Sequence, residues 1–100
     1  MIESYGNAEA QKIFEDGIAK KLPQKLLKRA IHLLDIMDNV ESLGDLKTQA
    51  FPPDIRLHRL KGDMKGRFAI DINKTDGWRI TFEFNENNFH RVVVENYHKG

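Results

Sequence analysis

The chain has 100 residues with 40% hydrophobic content, which suits one compact domain with one modest core and leaves no room for a second. Cysteine is absent, which excludes a disulfide framework, a thiolate metal site and a thiol nucleophile. The formal net charge of +1 announces no partner by itself, but it is uneven: residues 51–80 carry seven Lys/Arg against four Asp/Glu.

The opening Met1-Ile2-Glu3-Ser4-Tyr5 has no basic region followed by an apolar core, and no later apolar run approaches the roughly 18 residues that span a bilayer. The expectation is a soluble, cytoplasmic protein with no membrane partner. Ile2 to Tyr5 reads as a short opening strand, and Gly6-Asn7 as a turn with Asn7 placed to cap a helix. That helix is expected to run to about Lys20, with Ala10, Ile13, Phe14 and Ile18 forming one apolar stripe.

Pro23 suits the first turn of a second helix, where its missing N–H is not needed. Leu26, Leu27, Ala30, Ile31, Leu33, Leu34, Met37 and Val40 continue that helix for four turns. From Glu41 to Asp54 the periodicity fades, and Gly44 and Pro52-Pro53 mark a loop.

Beyond the loop the period changes from 3.6 to 2. Phe68, Ile70 and Ile72 alternate with Ala69, Asp71 and Asn73, and Trp78, Ile80, Phe82 and Phe84 alternate with Arg79, Thr81 and Glu83. Asn73 to Gly77 has the Asp-Gly chemistry of a hairpin turn, and Asn85 to Asn88 makes a second. The run Val92-Val93-Val94 in the last strand is apolar on both faces, so this strand is expected at the centre of the sheet. The order predicts an α+β domain over residues 1–100, with two N-terminal helices packed on a small, mainly antiparallel, twisted sheet of three strands.

No Walker loop, dinucleotide glycine pattern or zinc-type histidine spacing is present, so neither metal nor cofactor is expected. Of the four histidines, His32 and His90 read as structural or solvated. His58 lies in Leu57-His58-Arg59-Leu60-Lys61-Gly62-Asp63, among cations that favour its neutral form, as a general base near neutral pH requires. Lys61, Lys65 and Arg67, with Arg56, Arg59 and Arg79 nearby, predict a local positive surface. Arg79, flanked by apolar strand residues, can hold a phosphate through two hydrogen bonds; a surface salt bridge is the other reading. Tyr97-His98 follows the best buried strand. A continued pleat would send the two side chains to opposite faces, so cooperation needs the chain to leave the pleat near Asn96.

The strings Leu57 to Asp63, Trp78-Arg79-Ile80-Thr81-Phe82 and Tyr97-His98, in this order after two helices, resemble the host-inhibition-of-growth killer proteins of the RelE toxin superfamily over nearly the whole chain. That resemblance implies a ribosome-dependent endoribonuclease that cuts messenger RNA in the decoding site. It also implies a cognate helix-turn-helix antitoxin, through which alone the toxin reaches operator DNA. It assigns the catalytic positions to His58, Lys61, Arg79, Tyr97 and His98; Arg59, Lys65, Arg67, Lys74 and Asn96 are the expected substrate contacts. Relatives commonly end in Asp-Tyr-His where this chain has Asn96, and an amide cannot accept a proton as a carboxylate does. The expected chemistry is metal-free attack by the ribose 2′-hydroxyl on the adjacent phosphorus, leaving a cyclic phosphate. Two alternatives stand beside it: a non-nucleolytic inhibitor like the gyrase-poisoning cousins, or a degenerate toxin that only binds its antitoxin and contributes to operator binding.

Overall fold

Asn7 starts the first helix, α1 (Ala8–Asp16), from an extended backbone, its side-chain oxygen accepting the Ala10 N–H at 3.1 Å. The same side chain donates to the Val94 carbonyl at 2.9 Å, so the cap also fastens the helix to the sheet. In this computed structural model, which describes residues 1–40, 42, 44 and 56–97, α1 does not reach Lys20. Gly17 takes a left-handed φ of 68°, and the N–H groups of Gly17 and Ile18 turn back onto Ile13 and Lys12. That closes the helix four residues early and leaves Ile18 55% exposed, outside the expected stripe.

The next segment is held by one carboxylate. Glu9 accepts the backbone N–H groups of Lys20, Lys21 and Leu22 at 3.1, 2.8 and 2.8 Å, which aims the chain into Pro23 and the second helix, α2 (Gln24–Asn39). Leu26, Ala30, Leu33, Leu34 and Met37 of α2 are buried.

The strands are β1 (His58–Arg59), β2 (Phe68–Asn73), β3 (Trp78–Asn85) and β4 (Asn88–Asn96), all antiparallel in the order β1-β2-β3-β4. The meander of β2, β3 and β4 is as expected; β1 is a fourth strand, too short to show a period of its own. A single 3-10 turn, Gly62–Met64, joins β1 to β2. The β3–β4 hairpin turns through Glu86 and Asn87, both left-handed at φ 51° and 65°, the backbone of a two-residue type I′ turn.

Ile70, Ile80, Phe82, Phe89, Val92 and Val94 meet the helix residues in one core, with Phe82 and Phe89 edge to face at 5.0 Å. β4 is not central: it ends the four-strand order. Its outer edge is instead covered by the N-terminus, which bridges in parallel at Ile2–Phe89 and Tyr5–Val92 and adds backbone bonds such as Gly6 N–H to the Val92 carbonyl at 2.7 Å. Val92 and Val94 are buried in the core, and Val93 is half-buried on the other face opposite Thr81. No described helix is long and apolar enough to cross a membrane.

Candidate functional site

Residues directly opposite one another in paired strands share a face, so the registers place the polar residues. On the face turned away from the helices one row runs Asp71–Arg79–Glu95 and the next His58–Ala69–Thr81–Val93. A register shift in β4 puts Glu83 opposite His90 and turns Arg91 to a left-handed φ of 51°. The result is a face that carries charged and polar side chains at fixed sheet positions.

Arg79 is firmly held in the ladder. Its Nε and terminal nitrogen donate to one Glu95 oxygen at 2.9 and 2.6 Å, and its guanidinium lies over the Tyr97 ring, 4.9 Å from the centroid. Tyr97 is anchored by its own N–H on the Gly77 carbonyl at 3.0 Å and stays exposed. Of the two sequence readings of Arg79 the structure shows the salt bridge, and it sets the same guanidinium beside an aromatic ring.

His58 is half-buried at the start of β1, and its Nδ1 lies 2.5 Å from the Arg56 carbonyl oxygen. A carbonyl only accepts, so Nδ1 carries the hydrogen and Nε2 is the ring nitrogen left for a ligand. Arg56 in turn donates from Nε to Asp71 Oδ2 at 2.7 Å. The hydrogen bond to Asp71, and then its charge, hold the Arg56 proton more firmly than usual.

Lys61 and Lys65 flank the 3-10 turn, exposed and without an acidic partner among the described residues. Gly62 between them has a φ of 67° that lets the chain reverse there. Arg67 is engaged inside the ladder, by Glu83 at 3.1 Å, the Thr81 hydroxyl at 2.9 Å and the Arg91 carbonyl at 2.6 Å. Arg59 lies over the Phe68 ring at 5.1 Å, on the opposite side of β1 from His58. Lys74 is exposed in the β2–β3 turn, and His98 lies outside the described residues.

Asn96 faces away from the ladder. It stands opposite Trp78, and its side-chain amide donates to the Asp76 carbonyl at 3.0 Å. Asn96, at the position where the resemblance implies a carboxylate, therefore braces the β2–β3 turn. A cleft of about 550 Å³, lined by Lys12, Lys20, Lys21, Trp78 and Glu95 among others, opens at this end of the sheet, apart from His58. Among the described residues no three His, Asp or Glu side chains are grouped as a metal would need.

Of the ladder partners, Asp71, Thr81 and Glu95 were not singled out by the sequence, and Arg56 only as one charge of a local positive surface. The usable signal was that Asp71 and Glu95 occupy the same strand parity as Ala69 and Val93, so any side chain there joins the row of His58 or Arg79.

With this geometry in place, a family profile described as the RelE-like toxin of the type II toxin–antitoxin system HigB matches residues 3–98. The chain belongs to this HigB-like toxin family. It is also similar to the Endoribonuclease HigB of Proteus vulgaris, 31% identical over 98 residues that cover 98% of this chain and 100% of that one. Among solved structures, a mutant YafQ from E. coli superposes with a TM-score of 0.54 at 13% identity, covering 100% of both chains. The conserved hypothetical protein HP0894 from Helicobacter pylori gives 0.50 at 16% identity, covering 95% of this chain and 96% of that one. At such identities the two structures speak for the fold, two helices on an antiparallel sheet. The HigB-like strings quoted from the sequence lie on the site: Leu57 to Asp63 forms β1 and the 3-10 turn, and Trp78 to Phe82 forms the middle of the ladder.

Proposed function

We propose that this HigB-like toxin is a metal-independent endoribonuclease that cuts messenger RNA in the decoding site of the ribosome, and that a helix-turn-helix antitoxin neutralises it in the cytoplasm and links it to operator DNA. The observation that carries the reading is the juxtaposition on one sheet face of His58, with Nε2 free, and an Arg79–Tyr97 stack. The name of the Proteus relative as an endoribonuclease supports the same reading.

In this mechanism His58 Nε2 takes the proton of the ribose 2′-hydroxyl, whose oxygen then bonds to the adjacent phosphorus. The phosphorus–5′-oxygen bond breaks, and His98 gives the departing oxygen a proton, leaving a 2′,3′-cyclic phosphate and a 5′-hydroxyl. Arg79 and Lys61 stabilise the extra charge on the phosphorane, and Tyr97 stacks on or orients a nucleotide. Arg59, Lys65, Arg67, Lys74 and Asn96 complete the strand contacts, Arg67 and Asn96 by bracing the surface and the lysines by direct charge.

The test is translation of a defined message in a purified system, with breaks mapped by primer extension. Wild type should cut within codons only when ribosomes are present, and the His58→Ala, His98→Ala double variant should not. An intact message with wild type sinks the assignment; supercoiling of plasmid DNA by gyrase, assayed alongside, separates it from a gyrase inhibitor. Unchanged growth on overexpression without antitoxin would favour a degenerate toxin.

A further inference from the structure

We propose that Asp71 is a positioning residue for His58, acting through the backbone of Arg56, and that it sets which ring nitrogen of His58 meets the RNA. Three observations converge on this. Asp71 is 1% exposed within β2, where alternation would accept a small apolar residue, and its Oδ1 has no hydrogen-bond partner. A buried carboxylate is costly unless it is paired, so its place here asks for a reason. Arg56 supplies the pairing: its Nε donates to Asp71 Oδ2 at 2.7 Å.

The second observation is the backbone of Arg56. Its φ of 47° is a left-handed conformation that a residue with a Cβ adopts only under constraint. The charge-assisted bond to a fixed strand residue is that constraint. The third is the consequence of this bend: the Arg56 carbonyl meets His58 Nδ1 at 2.5 Å. The relay therefore runs from the Asp71 carboxylate to the Arg56 guanidinium, through the Arg56 main chain, to the imidazole.

The register adds a reason for Asp71 in particular. It stands directly opposite Arg79, so one rigid strand position is coupled to both the His58 side and the Arg79–Tyr97 side of the ladder. A loop residue could not fix the two together.

The proposal rests on the reading of His58 as proton acceptor, and the test keeps the two apart. The tautomer of His58 is read by long-range proton–nitrogen correlation spectra of the full, nitrogen-15-labelled chain above the pH at which the ring is charged. Cleavage is measured separately in the ribosomal assay. The wild type should show His58 as the Nδ1–H tautomer. Asp71→Asn and Arg56→Ala should each shift His58 toward Nε2–H and lower kcat by about tenfold or more, part of the 10²–10⁴ that a positioned base supplies, with KM little changed. Arg56 has an exposed side chain, so its variant keeps the test alive if Asp71→Asn does not fold. An Nε2–H tautomer in the wild type overturns the proposal, as does a tautomer unmoved in the folded variants. A shifted tautomer with unchanged cutting supports the hold of Asp71 on His58 and overturns the role of His58 instead.

Discussion

Arg79 joins an ion pair and a ring contact in one side chain. Its ion pair with Glu95 is 16% and 31% exposed on the two sides, so it is neither a solvated surface pair nor a fully buried one. Arg79→Ala removes the guanidinium and its stack on Tyr97 together, and single-turnover cleavage on programmed ribosomes should fall by about 10²–10³, as for loss of one donor to a developing anion. Arg79→Lys keeps the charge but not the planar fork, and should fall between the two. Glu9 is the corresponding structural residue. Its burial opposes ionisation, but the N–H groups of Leu22, Lys21 and Lys20, with the charge of Lys21, outweigh that and hold its carboxyl below the usual 4.5. A lowered folded value means stability that is present above about 4.5 and lost as pH falls through the folded value. Urea titrations should therefore show wild type losing stability in that acid window. Glu9→Gln should lose about 1–3 kcal/mol near neutral pH and depend less on pH below it.

At the scale of elements, helix length and strand edges were decided by two glycines in different ways. Gly17 ends α1 by its left-handed backbone, with open space where a Cβ would be. Gly17→Ala should cost about 1–2 kcal/mol, the strain of that conformation alone. Gly6 is a packing requirement: a Cβ there would stand 2.5 Å from Val93 Cγ2 and 3.0 Å from the Arg91 carbonyl oxygen. The backbone oxygen cannot give way without moving the bulge in β4, so Gly6→Ala should cost about 1–3 kcal/mol by overpacking and loosen the N-terminal cover of the sheet edge. Hydrogen exchange at the amides of Phe89 and Val92, which bond to the Met1 and Ser4 carbonyls, is the local measurement. Protection there unchanged by Gly6→Ala would contradict this account of the edge.

For the molecule as a whole, one aromatic cluster fastens the sheet to the helices. Phe82 stacks on Phe68 at 5.8 Å and meets Phe89 edge-on at 5.0 Å, with no exposure to solvent. Phe82→Ala should cost about 3–5 kcal/mol, a large share of the roughly 5–15 that a domain of this size possesses. Thermal melts should show it as the most damaging single change described here, above Glu9→Gln and either glycine variant.

Local chemistry alone determined what depends on neighbours in the chain. The helical spacing from Leu26 to Val40, the cap at Asn7, the alternation from Trp78 to Phe84 and the turns at Asn73 to Gly77 and Asn85 to Asn88 were all legible, because periodicity and turn residues act over a few positions. So were the individual chemical characters of His58, Arg79 and Tyr97. Long-range pairing decided the rest. The end of α1 at Gly17 was open to the eye but not compelling, since a glycine within an apolar stripe does not always stop a helix. The place of β4 beside the N-terminus, the existence of β1, and the row that puts Asp71 between Arg56 and Arg79 depend on pairing between separate segments, such as that which brings Arg56 to Asp71 at a separation of 15. Register has no local sequence signal when each strand is read singly, which is why candidate residues such as His58 and Arg79 could be proposed from the chain while the partners they meet emerged only from the fold.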